Sequence, residues 1–531
     1  MTSSAVNAPR TEYARSATGG MVCTVDHVAS AAGVRLLAAG GNAVDAAVGA
    51  SAVLAVTTQH MCGMGGDLWA LVHDGSPVPK TLNASGRAGS GADPHRLRAE
   101  GHTSMPFRDD IRSTPIPGCV DGWVELCEAH GELPLADVLA PAIDVAERGF
   151  VVSLQLGAMT KLIADVEGAD DYVRNGAPVG AGDIVTRPGV ARSLRAIAAG
   201  GRDGWYRGQF GEGLVRIGGG LYTDDDLARS QAEWVAPVTV DAWGHRLWTA
   251  PPNSQGYLSL AGAAIAAGLD LPDDPDDPRW AHLLIEASKQ AAFDRLDSLY
   301  EGADGAALVS EERLGPRRDA ISATVPSTVG APVAGGGTIY LCTVDRDRRG
   351  VSLIQSNAAG FGAHIAVPEV GVFLHNRGIG FSLIDGHPAE LGPGRRPPST
   401  LSPAMITRPD GSLRAPLGTM GGDGQPQVIL QLLARLLHEG SSPGRSLTAP
   451  RFTLTVPEAI GFDTWQRPAA DLVVAVEEGT TWTAGLVDLG HRVEERPWGH
   501  GLFGHAHLID ANGALSGVAD PRALTGAAVG L

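Results

Sequence analysis

The stretch 335–365 reads GGGTIYLCTVDRDRRGVSLIQSNAAGFGAHI. A flexible Gly-rich approach ends abruptly at Thr338, and an alternating segment follows, Ile339 to Val344, with the β-branched and aromatic character of a strand. Asp345 to Gly350 is a polar turn, and Val351 to Ile354 is a second strand, so the stretch predicts a hairpin whose first residue is a hydroxyl nucleophile type. If the peptide bond before Thr338 were cut, that residue would carry a hydroxyl and a free α-amine together. An α-amine has a reference pKa of about 7.7–8. It can take a proton at neutral pH, and a threonine paired with its own N-terminal amine is an activated nucleophile. Taken alone, the stretch reads more simply as a plain hairpin behind a glycine loop.

Around this stretch lie 531 residues, more than a single hydrophobic core usually organises, so two domains or one large layered domain are expected. With 41 basic and 59 acidic residues the net charge is −18, which argues against a nucleic-acid partner or an anionic membrane surface. The five cysteines, Cys23, Cys62, Cys119, Cys127 and Cys342, are odd in number and lack CxxC spacing; a reducing, cytoplasmic setting is expected, without disulfides or structural zinc. The N-terminus has no apolar signal-like core, and no run reaches the ~18 apolar residues of a membrane span.

Read in order, residues 1–20 form a loose tail. Gly20 to Val25 is a strand, and Asp26 caps a helix from His27 to Ala39. Asn42 opens a second helix, NAVDAAVGASAVLAVT, apolar all round and therefore buried. Leu68 to His73 and Thr81 to Arg87 are strands, and Pro115 to Phe150 is helical with breaks at Gly131 and Pro134. Residues 160–235 read as helices and loops, Pro237 to Ala250 as paired strands, and Trp280 to Tyr300 as an amphipathic helix. Residues 301–337 read as an extended connector, and the part from Thr338 onward as strand-rich with one good helix, Gln427 to His438.

Several segments in this order resemble one family. They are GGNAVDAAV (Gly40 to Val48), GMGGDLWALVHD (Gly63 to Asp74), IPGCVDGW (Ile116 to Trp123), LAPAIDVAERGF (Leu139 to Phe150), WYRG (Trp205 to Gly208) and GGLYTDDDLA (Gly219 to Ala228). After APPNSQGY (Ala250 to Tyr257) come Thr338 itself, RPPSTLSP (Arg396 to Pro403), GTMGGDGQPQ (Gly418 to Gln427) and ADPRALTGAAVG (Ala519 to Gly530). Together they resemble the γ-glutamyltransferases, which are N-terminal-nucleophile hydrolases. The resemblance implies an α+β fold, a four-layer αββα sandwich. It also implies a precursor that cuts itself between Gly337 and Thr338 into a large subunit, 21–337 behind the tail, and a small subunit, 338–531. The two would stay together as a heterodimer, with pairing into a heterotetramer open.

By the same resemblance Thr338 is nucleophile and self-cleavage residue, and Ser356 stands where the family has a supporting threonine. Gly421 and Gly422 supply the oxyanion hole, Ser399 and Thr400 contact substrate, and Arg87 holds the substrate's α-carboxylate. There are departures. The family's substrate-binding asparagine is Ala358 here, and its segment Asn-Asn-Gln-x-x-Asp-Phe-Ser reads HNRGIGFS, so Arg377 replaces a glutamine and Gly380 the aspartate that meets the glutamate ammonium. Arg377 becomes a second candidate for a substrate carboxylate. The lid region, Ser382 to Gly394, is shorter than in typical members.

The implied activity is hydrolysis or transfer of γ-glutamyl amides such as glutathione. The alternatives are an amidohydrolase for oxamate-like or glutaryl-type donors lacking an α-amine, and a processed but catalytically silent binding protein. The expected partner is a small-molecule amide, and no cofactor is expected. His60, His500, His505 and His507 lack the supporting pattern of a zinc site, and the acidic loop at 273–277 lacks the glycine and closing glutamate of a calcium loop, so no metal is expected.

Overall fold

The computed structural model describes residues 13–332, 336–457 and 467–531. Within it the hairpin forms: Ile339–Asp345 pairs antiparallel with Gly350–Ser356, with Ile339 opposite Gln355 and Val344 opposite Gly350. Alternation along these strands divides their side chains between two environments. Ile339, Leu341, Val351 and Leu353 join a core shared with the helices, whereas Tyr340, Cys342, Val344 and Ile354 join a second core between two sheets.

The first sheet has seven antiparallel strands in the order Ala527–Gly530, Gly20–Thr24, Ile339–Asp345, Gly350–Ser356, Asp67–His73, Lys80–Ala84, Glu233–Val235. The second also has seven: Arg15–Ala17, Leu515–Ala519, Ala506–Asp510, Leu413–Thr419, Ala404–Thr407, His245–Thr249, Val238–Ala242. Met21, Trp69, Trp248, Met405, Ile509 and Leu515 fill the space between them. The outer face of the first sheet is covered by helices that include His27–Ala38, Ala43–Thr57 and Cys119–His130, and that of the second by Tyr257–Ala267, Pro278–Ala292 and Gln425–Leu433. This is the expected αββα sandwich.

The helix Ala43–Thr57 shows how a local signal becomes placement. Asn42 and Asp45 form a reciprocal cap, and all fifteen helical residues are buried, as its unbroken apolar surface requires. Its first turn is pinned to the hairpin: the Ala43 N–H donates to Asp345 Oδ2 at 3.1 Å, and Thr343 Oγ1 donates to the Ala43 carbonyl at 2.6 Å. Deeper in, Trp123 Nε1 donates to Ser51, whose hydroxyl donates to Gln355 Oε1 at 2.6 Å. The strand that ends at Ser356 is therefore locked to the helical layer from behind.

Four expectations change. Of the predicted tail, residues 1–12 lie outside the described residues, but Arg15–Ala17 is an edge strand paired with Leu515–Ala519. The amphipathic helix ends at Ala292, because Asp294 turns away to bind Arg313 and Arg317 at 2.9 and 2.6 Å. Those arginines sit in the predicted connector, which holds two helices, Gly305–Leu308 and Glu311–Asp319, each started by a side-chain cap, Asp304 and Ser310; residues 333–335 of it lie outside the described residues. Residues 160–235 also contain short strands, Glu233–Val235 among them. Among the described residues no helix is long and apolar enough to cross a membrane.

Candidate active site

The register of the hairpin places Thr338 opposite Ser356, one position beyond the Ile339–Gln355 pair. Their hydroxyl oxygens are 3.0 Å apart, and both reach the Gly337 carbonyl, Thr338 Oγ1 at 2.7 Å and Ser356 Oγ at 2.8 Å. Ser356 Oγ also accepts from the Ala358 N–H at 2.8 Å. With its single proton on the Gly337 carbonyl, the serine oxygen has a lone pair left for the threonine hydroxyl. Gly337 is held from its other side too, its N–H donating to the Ala358 carbonyl at 2.9 Å. Ala358 adopts φ +67°, a left-handed backbone that non-glycine residues rarely take, and this turn returns its carbonyl toward Gly337. The bond between Gly337 and Thr338 thus sits in a fixed frame, with a hydroxyl nucleophile beside a carbonyl that accepts from Ser356.

In the uncut chain Thr338 is only 1% exposed.

The strand Leu413–Thr419 brings Gly421 and Gly422 to the same end of the hairpin. It crosses the first sheet with Leu413 against Gly350 and Gly418 against the Tyr340 ring, so it runs toward Thr338. The turn that follows needs glycine, with φ +134° at Gly421 and +53° at Gly422. Among the described residues no carbonyl accepts from either N–H, which is the condition for donors aimed at a developing oxyanion. Gln255, in the quoted segment APPNSQGY, ties this turn to the substrate-contact pair, its Nε2 donating to the carbonyls of Gly422 at 2.9 Å and Thr400 at 3.0 Å.

Ser399 and Thr400 are fully buried in this network. The Ser399 hydroxyl accepts from the Leu401 N–H, and Thr400 Oγ1 accepts from Arg377 Nη1 at 2.9 Å. Arg377 itself is buried and ion-paired with Asp67, Nε to Oδ2 at 2.7 Å; Asp67 stands opposite Ser356 in the sheet. Its guanidinium is thus committed inside the protein. The same holds for Arg87: it binds Glu301 at 2.6 Å, Glu233 at 3.0 Å and the Gly394 carbonyl at 3.1 Å. Neither arginine borders the large cavity near the site, so the structure corrects the expectation that they present themselves to a substrate carboxylate.

That cavity, of about 580 Å³, is walled by Met105, Phe107, Leu299, Ile379, Phe381 and Leu383, with Gly380 and Pro398 in its lining and Arg295 as its arginine. Phe107 and Ile379 pack against Ala358 and Ala359, the segment that holds Gly337. On the opposite side Arg295 pairs with Asp423, the residue after Gly422, at 2.6 Å, and donates to Gln255 Oε1 at 2.8 Å. The cavity therefore lies one layer of side chains away from the Gly337 segment on one flank and from the glycine turn on the other. Burial raises the Asp423 pKa to about 6, with Arg295 and Arg377 pulling the other way. Sequence reasoning missed Asp67, Gln255, Arg295 and Asp423. The first two and the last lie inside quoted segments, while Arg295 falls in an ordinary helical pattern without a local signal.

Burial and neighbouring positive charge hold His60, His505 and His507 neutral: His60 and His507 fall to about 3 and His505 to about 4. The residues that do come together as possible metal ligands are His282, Glu286 and His491, which the sequence did not single out. They satisfy one another. His282 Nε2 donates to the Ser322 carbonyl, so its Nδ1 accepts from His491 Nε2 at 2.7 Å, while Glu286 binds Lys289 and the Ser327 N–H. Lys289 would also repel a cation.

A model of the γ-glutamyltranspeptidase family matches residues 29–530. The chain is 35% identical, over 96% of its length and 98% of the relative's, to the glutathione hydrolase-like YwrD proenzyme of Bacillus subtilis. It is 33% identical to the oxamate amidohydrolase proenzyme of Klebsiella pneumoniae, covering 97% of this chain and 98% of that one. Its fold superposes on the crystal structure of a cephalosporin acylase from Bacillus halodurans with a TM-score of 0.88 at 31% identity, over 100% of this chain and 99% of the other. The chain is a hydrolase of the γ-glutamyltranspeptidase family, and its paired sheets between helical layers are the N-terminal-nucleophile architecture of that family.

Proposed function

We propose that the chain cuts itself between Gly337 and Thr338, and that the processed enzyme hydrolyses γ-glutamyl-type amides, glutathione among them, or passes the acyl group to an amine. One observation carries this reading: the hydroxyls of Thr338 and Ser356 share the Gly337 carbonyl at 2.7 and 2.8 Å. Attack of Thr338 Oγ1 on that carbonyl carbon moves the acyl group from nitrogen to oxygen, and water then hydrolyses the ester and frees the Thr338 amine. In the processed enzyme that amine takes the hydroxyl proton as Oγ1 attacks a substrate amide. The Gly421 and Gly422 N–H groups stabilise the oxyanion, and the leaving amine departs with a proton before water or an acceptor amine releases the acyl group. The pieces, 1–337 and 338–531, stay together as a heterodimer, and light scattering decides whether two heterodimers pair. Five free thiols support a cytoplasmic location.

A second reading, a donor without an α-amine, is favoured by Gly380. It lines the cavity where the resemblance expects an aspartate; Asp67 is already neutralised by Arg377, and the carboxylate that does line the cavity, Asp297, is exposed to solvent. A buried ammonium without a carboxylate is costly. Relatives named as an oxamate amidohydrolase and a cephalosporin acylase support it. The test is turnover of γ-glutamyl-p-nitroanilide beside glutaryl-p-nitroanilide by the processed protein. A ~100-fold preference for the γ-glutamyl donor, about 2.7 kcal/mol, keeps the first reading; equal or better turnover of the glutaryl donor establishes the second.

A further inference from the structure

We propose that Arg295 binds the free carboxylate of the acyl donor, and that the cavity it borders is the acyl-donor pocket. This deepens the amide-hydrolase reading above and rests on it. The location follows from contacts on both flanks. Phe107 and Ile379 connect the cavity to Ala358 and Ala359 beside Gly337, and Pro398 connects it to Ser399 and Thr400. Arg295 connects it to the oxyanion turn through Asp423 and Gln255. An acyl chain lying between Thr338 and Arg295 thus has its carbonyl at the glycine turn and its far end at a guanidinium.

The chemistry follows from what surrounds that guanidinium. Met105, Phe107, Leu299, Ile379, Phe381 and Leu383 suit a short methylene chain; Asp297 also lines the cavity but is exposed, whereas the Arg295 side chain is buried, so a carboxylate–guanidinium contact there is stronger than at the surface. A planar guanidinium binds a carboxylate through parallel hydrogen bonds. Arg87 and Arg377 are held elsewhere by Glu301, Glu233 and Asp67. Asp423 neutralises Arg295 when the pocket is empty, so an acid donor shares the cation with it. A donor ending in a carboxylate should then be preferred over the same donor ending in a carboxamide, which is isosteric and uncharged.

The experiment compares glutaryl-p-nitroanilide with glutaramoyl-p-nitroanilide on processed wild-type enzyme, Arg295→Met and Asp423→Asn. The wild type is expected to favour the glutaryl donor, and Arg295→Met to lower kcat/KM for that donor at least ~100-fold more than for the glutaramoyl donor, whose own smaller loss reads the Asp423 carboxylate left unpaired beside the oxyanion turn. Asp423→Asn, by removing the competing carboxylate, should lower KM for the glutaryl donor. If Arg295→Met does not accumulate as two pieces, Arg295→Lys carries the same comparison, with an expected ~10-fold loss confined to the glutaryl donor. Equal losses on both donors mean that Arg295 only supports the oxyanion turn, and overturn the proposal. So does a collapse of the preference in Arg87→Met rather than at Arg295. A wild-type enzyme that cleaves the γ-glutamyl anilide yet does not distinguish glutaryl from glutaramoyl overturns the proposal and leaves the amide-hydrolase reading standing; one silent on all three overturns both.

Discussion

Replacing Ser356 by alanine removes three hydrogen bonds in one step: to the Gly337 carbonyl at 2.8 Å, to Thr338 Oγ1 at 3.0 Å and from the Ala358 N–H at 2.8 Å. The first matters most for self-cleavage, because it is a donor on the carbonyl oxygen that becomes negative when Thr338 attacks. Loss of one such donor costs about 10²–10³ in rate, roughly 2.7–4 kcal/mol of transition-state stabilisation. The third affects stability. Ala358 is fully buried, and an unsatisfied N–H there costs about 1–3 kcal/mol, too little to unfold a chain with two large cores. The expected phenotype is therefore a folded protein that processes slowly. A denaturing-gel time course on freshly translated chain reads this directly, following the 54.8 kDa precursor into two pieces. Ser356→Ala should lengthen the half-life of the precursor at least ~100-fold, Ser356→Thr should stay near wild type, and Thr338→Ala should remain one chain. Processing of Ser356→Ala at the wild-type rate would refute the reasoning, because the serine would then contribute nothing to the carbonyl it touches.

Three further outcomes are expected. Arg377→Met leaves Asp67 as an unpaired buried carboxylate and should destabilise the fold by about 3–5 kcal/mol, read as a lowered Tm, with Asp67→Asn in the same background recovering part of it. Gly66→Ala would bring a Cβ within 2.2 Å of the Ser356 carbonyl, so it should displace the serine and slow processing, checked by the same gel assay. For acid donors KM should fall as pH is lowered from 8 to 5.5. Asp423, with its pKa raised to about 6, loses its charge over that range and stops competing for Arg295, while KM for the glutaramoyl donor stays flat.

The architecture was legible because its signals are local and repeated. The alternation in Ile339 to Val344 separates two cores, the Asn42–Asp45 cap starts a buried helix, and the glycines at 421 and 422 sit where positive φ demands them. The hydroxyl pair was named through the family resemblance, and the strand register that sets Thr338 against Ser356 is its physical basis. What was not legible was the allocation of charge. Arg87 and Arg377 carry the right chemistry for a carboxylate, but Glu301, Glu233 and Asp67, up to 310 residues away in sequence, claim them in the fold. Arg295 has the opposite history: nothing local in its helical pattern singles it out, and where the helix ends before Asp294 the side chain is buried against Asp423. Such pairings depend on long-range packing, which no window of sequence contains.

The order of strands in the two sheets has a consequence for the lifetime of the enzyme. Both sheets mix strands from before and after Gly337, and among the described residues five ladders of backbone hydrogen bonds join the two segments: 15–17 with 515–519, 245–249 with 404–407, 20–24 with 339–345, 67–73 with 350–356, and 20–24 with 527–530. While the chain is continuous, closing these ladders is an intramolecular search at high effective concentration. Once Gly337 and Thr338 are separated, the same woven arrangement cannot come apart without opening both sheets, yet after denaturation it must be rebuilt by collision of two molecules. With the proposed cut made, folding would become a one-way history: the processed enzyme would persist by the slowness of its unfolding rather than by its capacity to refold.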